Sequence, residues 1–127
     1  MSHHTVLITG GLGFIGSHFI EYYQKKHPKD NIINLDKVTY AASENLIDEW
    51  KHRSNYKFIK GDICNEELIN YIFEEFHPNK IIHFAAESHV DNSIKNASAF
   101  IKTNVYGTYV LLNAALNTWK SQNQREY

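Results

Sequence analysis

The chain alternates short apolar runs with segments whose apolar positions fall at helical spacing. Thr5-Val6-Leu7-Ile8-Thr9 is rich in β-branched residues and closed by Gly10-Gly11, which predicts a buried strand. Past the glycines, Ile15, Phe19 and Tyr22 recur at i, i+4 and i+7, predicting one apolar face of a helix that ends near Pro28. Asn31–Asp36 predicts a second strand, about Ser43–His52 a short helix, and Tyr56–Lys60 a third strand. Asn65 is placed to cap a helix, with Glu66 and Glu67 in the first turn, where the helix dipole favours anions. Leu68, Ile69, Ile72, Phe73 and Phe76 continue it as an apolar stripe, and Pro78 stops it. Lys80–Ala86 predicts a fourth strand. A long helix is expected from about Ser98 to Lys120, with Ile101, Val105, Leu111, Leu112 and Ala115 among its apolar positions. Gly107 inside it costs about 1 kcal/mol relative to Ala, so a close approach of this helix to the sheet is expected there.

Strand–helix alternation implies right-handed crossovers and a parallel sheet with helices on both faces, an α/β doubly wound pattern. The near-continuous apolar strands agree with that burial. The 127 residues read as one domain, residues 1–127. Composition narrows the function classes. Thirteen basic against 14 acidic side chains give a net charge of −1, which supplies no reason to bind nucleic acid or an anionic membrane. The apolar runs fall far short of the roughly 20 residues that cross a bilayer. Met1-Ser2-His3-His4 runs straight into the first strand, so no signal peptide is expected. The lone Cys64 forms no intrachain disulfide, which suits a reducing, cytoplasmic setting, and is read as a packed thiol rather than a nucleophile. The eight histidines carry no metal-ligand spacing, so no metal site is expected.

The strongest chemical signal is Thr9-Gly10-Gly11-Leu12-Gly13-Phe14-Ile15-Gly16, a glycine turn between a predicted strand and a predicted helix. Absent side chains let the backbone turn tightly and approach a pyrophosphate, and the free N–H groups of the helix start take the phosphate charge. A plain strand–helix turn is the bland alternative. Asp36 follows Gly16 by 20 residues at the end of the second strand. A carboxylate there accepts the hydrogen bonds of an adenosine ribose and repels a 2′-phosphate, which favours NAD over NADP; Lys37 beside it softens the preference. Asp62-Ile63 suits an adenine amino group and its apolar wall, and Asp62 equally suits a role in starting the next helix. Phe84-Ala85-Ala86-Glu87-Ser88-His89 lies at the carboxyl end of the fourth strand, where open sheets bind ligands. Ser88 and His89 are placed to meet a substrate, though an ordinary surface loop also carries such residues.

Together these segments resemble the extended short-chain dehydrogenase/reductases, and among them the dTDP-glucose 4,6-dehydratases most closely. The resemblance rests on Thr9 to His18, Asn34-Leu35-Asp36-Lys37-Val38-Thr39-Tyr40-Ala41, Tyr56 to Cys64, His83 to Asp91 and Thr103-Asn104-Val105-Tyr106-Gly107-Thr108. It covers Thr5 to about Trp119. It implies a Rossmann-type sheet in the order 3-2-1-4 that binds NAD. Gly10, Gly13 and Gly16 would form the loop, with Phe14 and Ile15 on the pyrophosphate side. Asp36, Lys37, Val38 and Thr39 would surround the ribose, Asp62 and Ile63 the adenine, and Phe84, Ala85, Ala86, Glu87, Ser88 and Thr103 the nicotinamide half. Ser88, with His89 beside it, would reach a sugar nucleotide, dTDP-glucose or UDP-glucose. The implied reaction oxidises C4 of the glucose, eliminates water across C5 and C6, and returns the hydride to C6.

Two departures stand out. Asn92 replaces the usual Arg, a feature shared with some UDP-glucose 4,6-dehydratases, and the Tyr40–Asn45 stretch is one residue shorter than the common pattern. The family's catalytic Thr-Asp-Glu segment and Tyr-x-x-x-Lys pair are expected after a fifth strand, beyond Tyr127, so no catalytic residue and no substrate domain is assigned within this chain. The chain reads as a cut portion, inactive alone. A homodimer is implied for the full-length family, and the edge formed by Ile81–Ala86, unprotected by charge or proline, is expected to self-associate, to swap elements or to be covered by another segment. Related epimerases and a non-catalytic nucleotide-binding module are the competing readings.

Overall fold

In the computed structural model of the chain, the described residues are 3–38, 44–85 and 97–121. Four parallel strands form one sheet: β1 (Thr5–Thr9), β2 (Asn31–Asp36), β3 (Tyr56–Lys60) and β4 (Lys80–His83). Their order is β3-β2-β1-β4, the order expected from the resemblance. In register, Val6 lies opposite Ile32 and Lys80, and Ile32 lies opposite Tyr56. Helices α1 (Phe14–Lys26), α2 (Glu44–Trp50) and α3 (Glu66–Phe76) fall between successive strands. The described chain divides into two compact units: residues up to Asp62 with Pro78–Ala85, and Ile63–His77 with residues 97–121.

In the first unit, one face of the sheet supplies Val6, Ile8, Ile32 and Tyr56 to a core shared with Ile20 and Tyr23 of α1 and Trp50 of α2. Burial of each such side chain is worth about 1.5–3 kcal/mol. The buried face of α1 is Gly16, Ile20 and Tyr23, one residue out of phase with the expected Ile15, Phe19 and Tyr22; Ile15 and Tyr22 are exposed. Gly16 sets this phase. A Cβ there would strike the carbonyl oxygen of Gly10 and come within 2.9 Å of the Gly11 Cα, so only a glycine lets the helix sit against the loop.

β4 ends at His83, three residues earlier than expected. The Phe84 N–H still bonds to the Thr9 carbonyl at 2.8 Å, and the Ala85 N–H then turns to the Thr9 hydroxyl at 3.2 Å. The cause is Gly10, whose φ of 73° turns β1 away and leaves β4 no further ladder partner.

In the second unit, α3 opens as expected, with Asn65 Oδ1 accepting the Leu68 N–H at 3.2 Å and Glu66 and Glu67 in the first turn. It closes on His77 in the left-handed conformation, whose N–H bonds to the Phe73 carbonyl, so the stop precedes Pro78. The expected long helix is three pieces: α4 (Ala97–Ile101), a π-helical segment (Lys102–Gly107) and α5 (Thr108–Ser121). Gly107 is buried under the Ile63 side chain, which fills the place of a Cβ, so the close approach is to the segment after β3. Val110, Leu111, Ala114, Ala115 and Trp119 are buried, whereas Ile101, Val105 and Leu112, among the apolar positions of the expected helix, are exposed. The π turns rotate the later helix relative to a uniform α-helical pattern.

Candidate functional site

The site begins with the glycine turn. Gly10 takes the left-handed conformation, and a Cβ on it would lie 2.6 Å from the Ala85 nitrogen. Its own N–H donates to the Leu35 carbonyl at 2.9 Å. Gly11 donates to Asn34 Oδ1 at 3.0 Å and Leu12 donates to Asp36 Oδ2 at 2.9 Å. Three successive amides of the loop are thus received by three neighbouring residues of β2. The Gly13 N–H closes back on the Gly10 carbonyl at 3.2 Å. α1 then opens at Gly13 with no side-chain cap and no acidic residue in its first turn. Phe14 and Ile15 at this opening are 82% and 67% exposed, which leaves the helix start accessible to a ligand.

Asp36 sits at the edge of this opening. Its second oxygen, Oδ1, accepts the N–H of Val38 at 2.8 Å, and Val38 is held at a φ of 60°, a left-handed conformation rare for a β-branched residue. Both carboxylate oxygens are thereby oriented by backbone donors, with lone pairs still free to receive hydroxyl groups. Lys37 reaches across to Asp62, Nζ to Oδ2 3.5 Å, so two residues assigned to different parts of an adenosine form an ion pair here. On the other side of the turn, Thr9 is fully buried and its hydroxyl lies 2.6 Å from His83 Nδ1. Burial holds the His83 imidazole below its ordinary pKa. Phe84 packs on Phe19 of α1, ring centroids 5.5 Å apart.

The structure therefore gathers Gly10, Gly13, Phe14, Ile15, Gly16, Asp36, Lys37, Val38, Asp62, Phe84 and Ala85 within one unit. Ile63, expected beside an adenine, is buried in the other unit against Gly107, and Thr103 is half-buried in the π-helical segment. Thr39, Ala86, Glu87, Ser88 and His89 lie outside the described residues. Sequence reasoning missed Asn34, a fully buried polar residue inside an apolar strand run. Its signal was there to read, since a lone amide among Ile32, Ile33 and Leu35 needs a buried partner.

Tyr22 and Lys26 have the Tyr-x-x-x-Lys spacing, with the ammonium 5.9 Å from the ring centroid. They belong to the exposed side of α1, about 12 Å (Tyr22) and about 18 Å (Lys26) along its axis from Phe14, so they take no part in this opening. A hollow of about 320 Å³ near the far end of α1 is lined by Glu21, Gln24, Lys25, Pro28, Arg53 and Asn55. Its Arg53 is already spent on Glu21, Nη2 to Oε1 2.7 Å, and on the Trp50 ring. Among the described residues no group of His, Cys, Asp or Glu is arranged to hold a metal ion, and no helix is long and apolar enough to cross a membrane.

The sequence profile of the GDP-mannose 4,6 dehydratase family matches residues 7–127. A dTDP-glucose 4,6-dehydratase of Haemophilus influenzae is 48% identical over 114 residues, which is 90% of this chain and 33% of that protein. Among solved structures, a double mutant of the dTDP-glucose 4,6-dehydratase of Streptomyces venezuelae, with NAD bound, superposes with a TM-score of 0.78 at 40% identity. That match covers 89% of this chain and 36% of that one. A UDP-glucose 4-epimerase of Thermotoga maritima superposes with a TM-score of 0.76 at 28% identity, covering 90% and 34%. The chain spans about a third of the length of the relatives it matches.

Proposed function

The chain belongs to the GDP-mannose 4,6 dehydratase family, and on that premise we propose that it is the NAD-binding portion of a sugar-nucleotide 4,6-dehydratase acting on dTDP-glucose. One observation carries the reading: a glycine turn too tight for any side chain leads into a helix start with no cap, with the Asp36 carboxylate beside it. The N–H groups of Phe14, Ile15 and Gly16 receive the pyrophosphate, because those of Gly10 through Gly13 are already bonded within the loop and to β2. Asp36 takes the ribose hydroxyls, with Lys37, Val38 and Thr39 serving the same ribose, and Asp62 serves the adenine. Phe84 to Ser88 serve the nicotinamide half, and Ser88 and His89 serve the sugar nucleotide. NAD, when bound, supplies the hydride acceptor that 4,6-dehydration needs and ends in its starting redox state.

The alternative substrate is UDP-glucose, favoured by Asn92. An epimerase has the same fold at similar TM-score, and the Glu87-Ser88-His89-Val90-Asp91 stretch speaks for the dehydratase. A second copy of the chain is the proposed partner. Ile101, Val105, Tyr109, Leu112 and Leu116 form an exposed apolar stripe in the 97–121 region, and β4 stands at the edge of the described sheet. A cytoplasmic location fits the lone Cys64. The test is an assay of the whole protein with dTDP-glucose and with UDP-glucose. A 4-keto-6-deoxy product from dTDP-glucose supports the reading, product from UDP-glucose alone supports the alternative, and none from either overturns both.

A further inference from the structure

We infer that Asn34 is a positioning residue for the phosphate-binding loop, acting through the Gly11 amide; the inference rests on the NAD reading above. Asn34 stands in the middle of β2, flanked by Ile32, Ile33 and Leu35, and is fully buried. A polar side chain in a central strand costs stability unless every group it carries is satisfied. Both ends of this amide are. Oδ1 accepts the Gly11 N–H at 3.0 Å, and Nδ2 donates to the Tyr56 hydroxyl of β3 at 3.0 Å.

The Gly11 N–H, which can only donate, fixes which end of the amide faces the loop: it takes the carbonyl oxygen and leaves the NH₂ to donate to the Tyr56 hydroxyl. Burial pushes the Tyr56 phenol above its ordinary pKa, so it stays neutral in this role. The fit at the loop is close: a Cβ on Gly11 would collide with Asn34 Oδ1 and lie 2.5 Å from Ile20 Cδ1 of α1. Gly11 is therefore clamped between β2 and α1. Its two neighbours, Gly10 and Leu12, are held by a main-chain carbonyl and by Asp36. Asn34 is the only one of the three β2 contacts that comes from a buried side chain with no proposed ligand of its own. It fixes the loop without touching the cofactor, and so sets the direction in which the Phe14, Ile15 and Gly16 amides point.

A position for the phosphates predicts a selective loss. Asn34→Leu keeps the branched shape of the side chain, puts methyls where the amide atoms were, and orphans the Gly11 amide. Calorimetry on the chain is expected to show NAD binding weakened about tenfold or more, while adenosine, which carries no phosphate, binds within about twofold of wild type. Tyr56→Phe is the control, since it removes the far end of the same network and leaves the Gly11 bond; its NAD affinity is expected within about threefold of wild type. Equal losses for NAD and adenosine, or equal losses in the two variants, would overturn the inference in favour of general destabilisation.

Hydrogen exchange of the Gly11 amide in the ligand-free chain separates this inference from the NAD reading. Protection in wild type and Tyr56→Phe, lost in Asn34→Leu, is expected whether or not NAD binds. A Gly11 amide exchanging as an open-loop amide in wild type contradicts the inference by itself. If Asn34→Leu does not fold, Asn34→Thr, strand-compatible and too short to reach Gly11, carries the same expectations.

Discussion

Two helices of this chain open in opposite ways. α3 starts at Asn65, whose side chain takes the Leu68 N–H, and places Glu66 and Glu67 in its first turn, so its positive end is satisfied by its own residues. α1 starts at Gly13 with neither device. Its preceding loop is tied down amide by amide to β2, and its first residues, Phe14 and Ile15, lie open. The contrast teaches how two helix starts differ in what they leave open: the first satisfies its N–H groups and dipole internally, the second leaves its own exposed.

The most forceful way to break the contrast is Gly16→Ala. The added Cβ strikes the Gly10 carbonyl, a main-chain atom that cannot swing aside, so overpacking is expected to cost about 1–3 kcal/mol or more in urea unfolding. NAD binding is expected to fall about 100-fold or more as α1 lifts from the loop. Unchanged NAD affinity would mean that this opening is not the phosphate site. Asn65→Ala attacks the other helix. Loss of the cap is expected to lower stability by about 1 kcal/mol and leave NAD affinity where it was. A drop in affinity there would erase the distinction between the two openings.

The smallest effect concerns pH. His83 is held below its ordinary pKa of 6.5 by burial, next to Thr9 at the base of the loop. The neutral form is favoured in the folded chain, so its contribution is fully present above pH 6.5. It is lost as pH falls from there through the lower folded-state value, because the unfolded chain takes the proton first. His83→Asn, which keeps an acceptor near Nδ1 but cannot titrate, is expected to flatten the dependence of the urea midpoint on pH below about 6.5. An unaltered slope would place the titrating group elsewhere.

Much of this was legible in residue patterns, and the misses have physical causes. The strands follow from β-branched runs, and the Asn65 cap follows from a local side chain–backbone bond that needs no tertiary context. The glycine turn is legible from its place between strand and helix. The face of α1 was misjudged by one residue because Gly16, invisible to a hydrophobic pattern, sets the helix phase by backbone contact. The end of β4 is not legible in its own residues because Gly10, just past the end of β1, decides where its partner ladder stops. The 97–121 region read as one helix because side-chain periodicity does not reveal the π turns of Lys102–Gly107. In the site, Asp36 was legible from spacing, whereas its bonds to Leu12 and Val38, the Lys37–Asp62 pair and the Asn34 clamp depend on which strands become neighbours.

The central claim is that the open start of α1, with Asp36 at its edge, receives NAD. Calorimetric titration of the chain with NAD and NADP tests it directly. The account predicts one NAD site with NADP weaker by about tenfold or more, since the Asp36 carboxylate repels a 2′-phosphate. Equal affinities, or no binding of NAD, would contradict it.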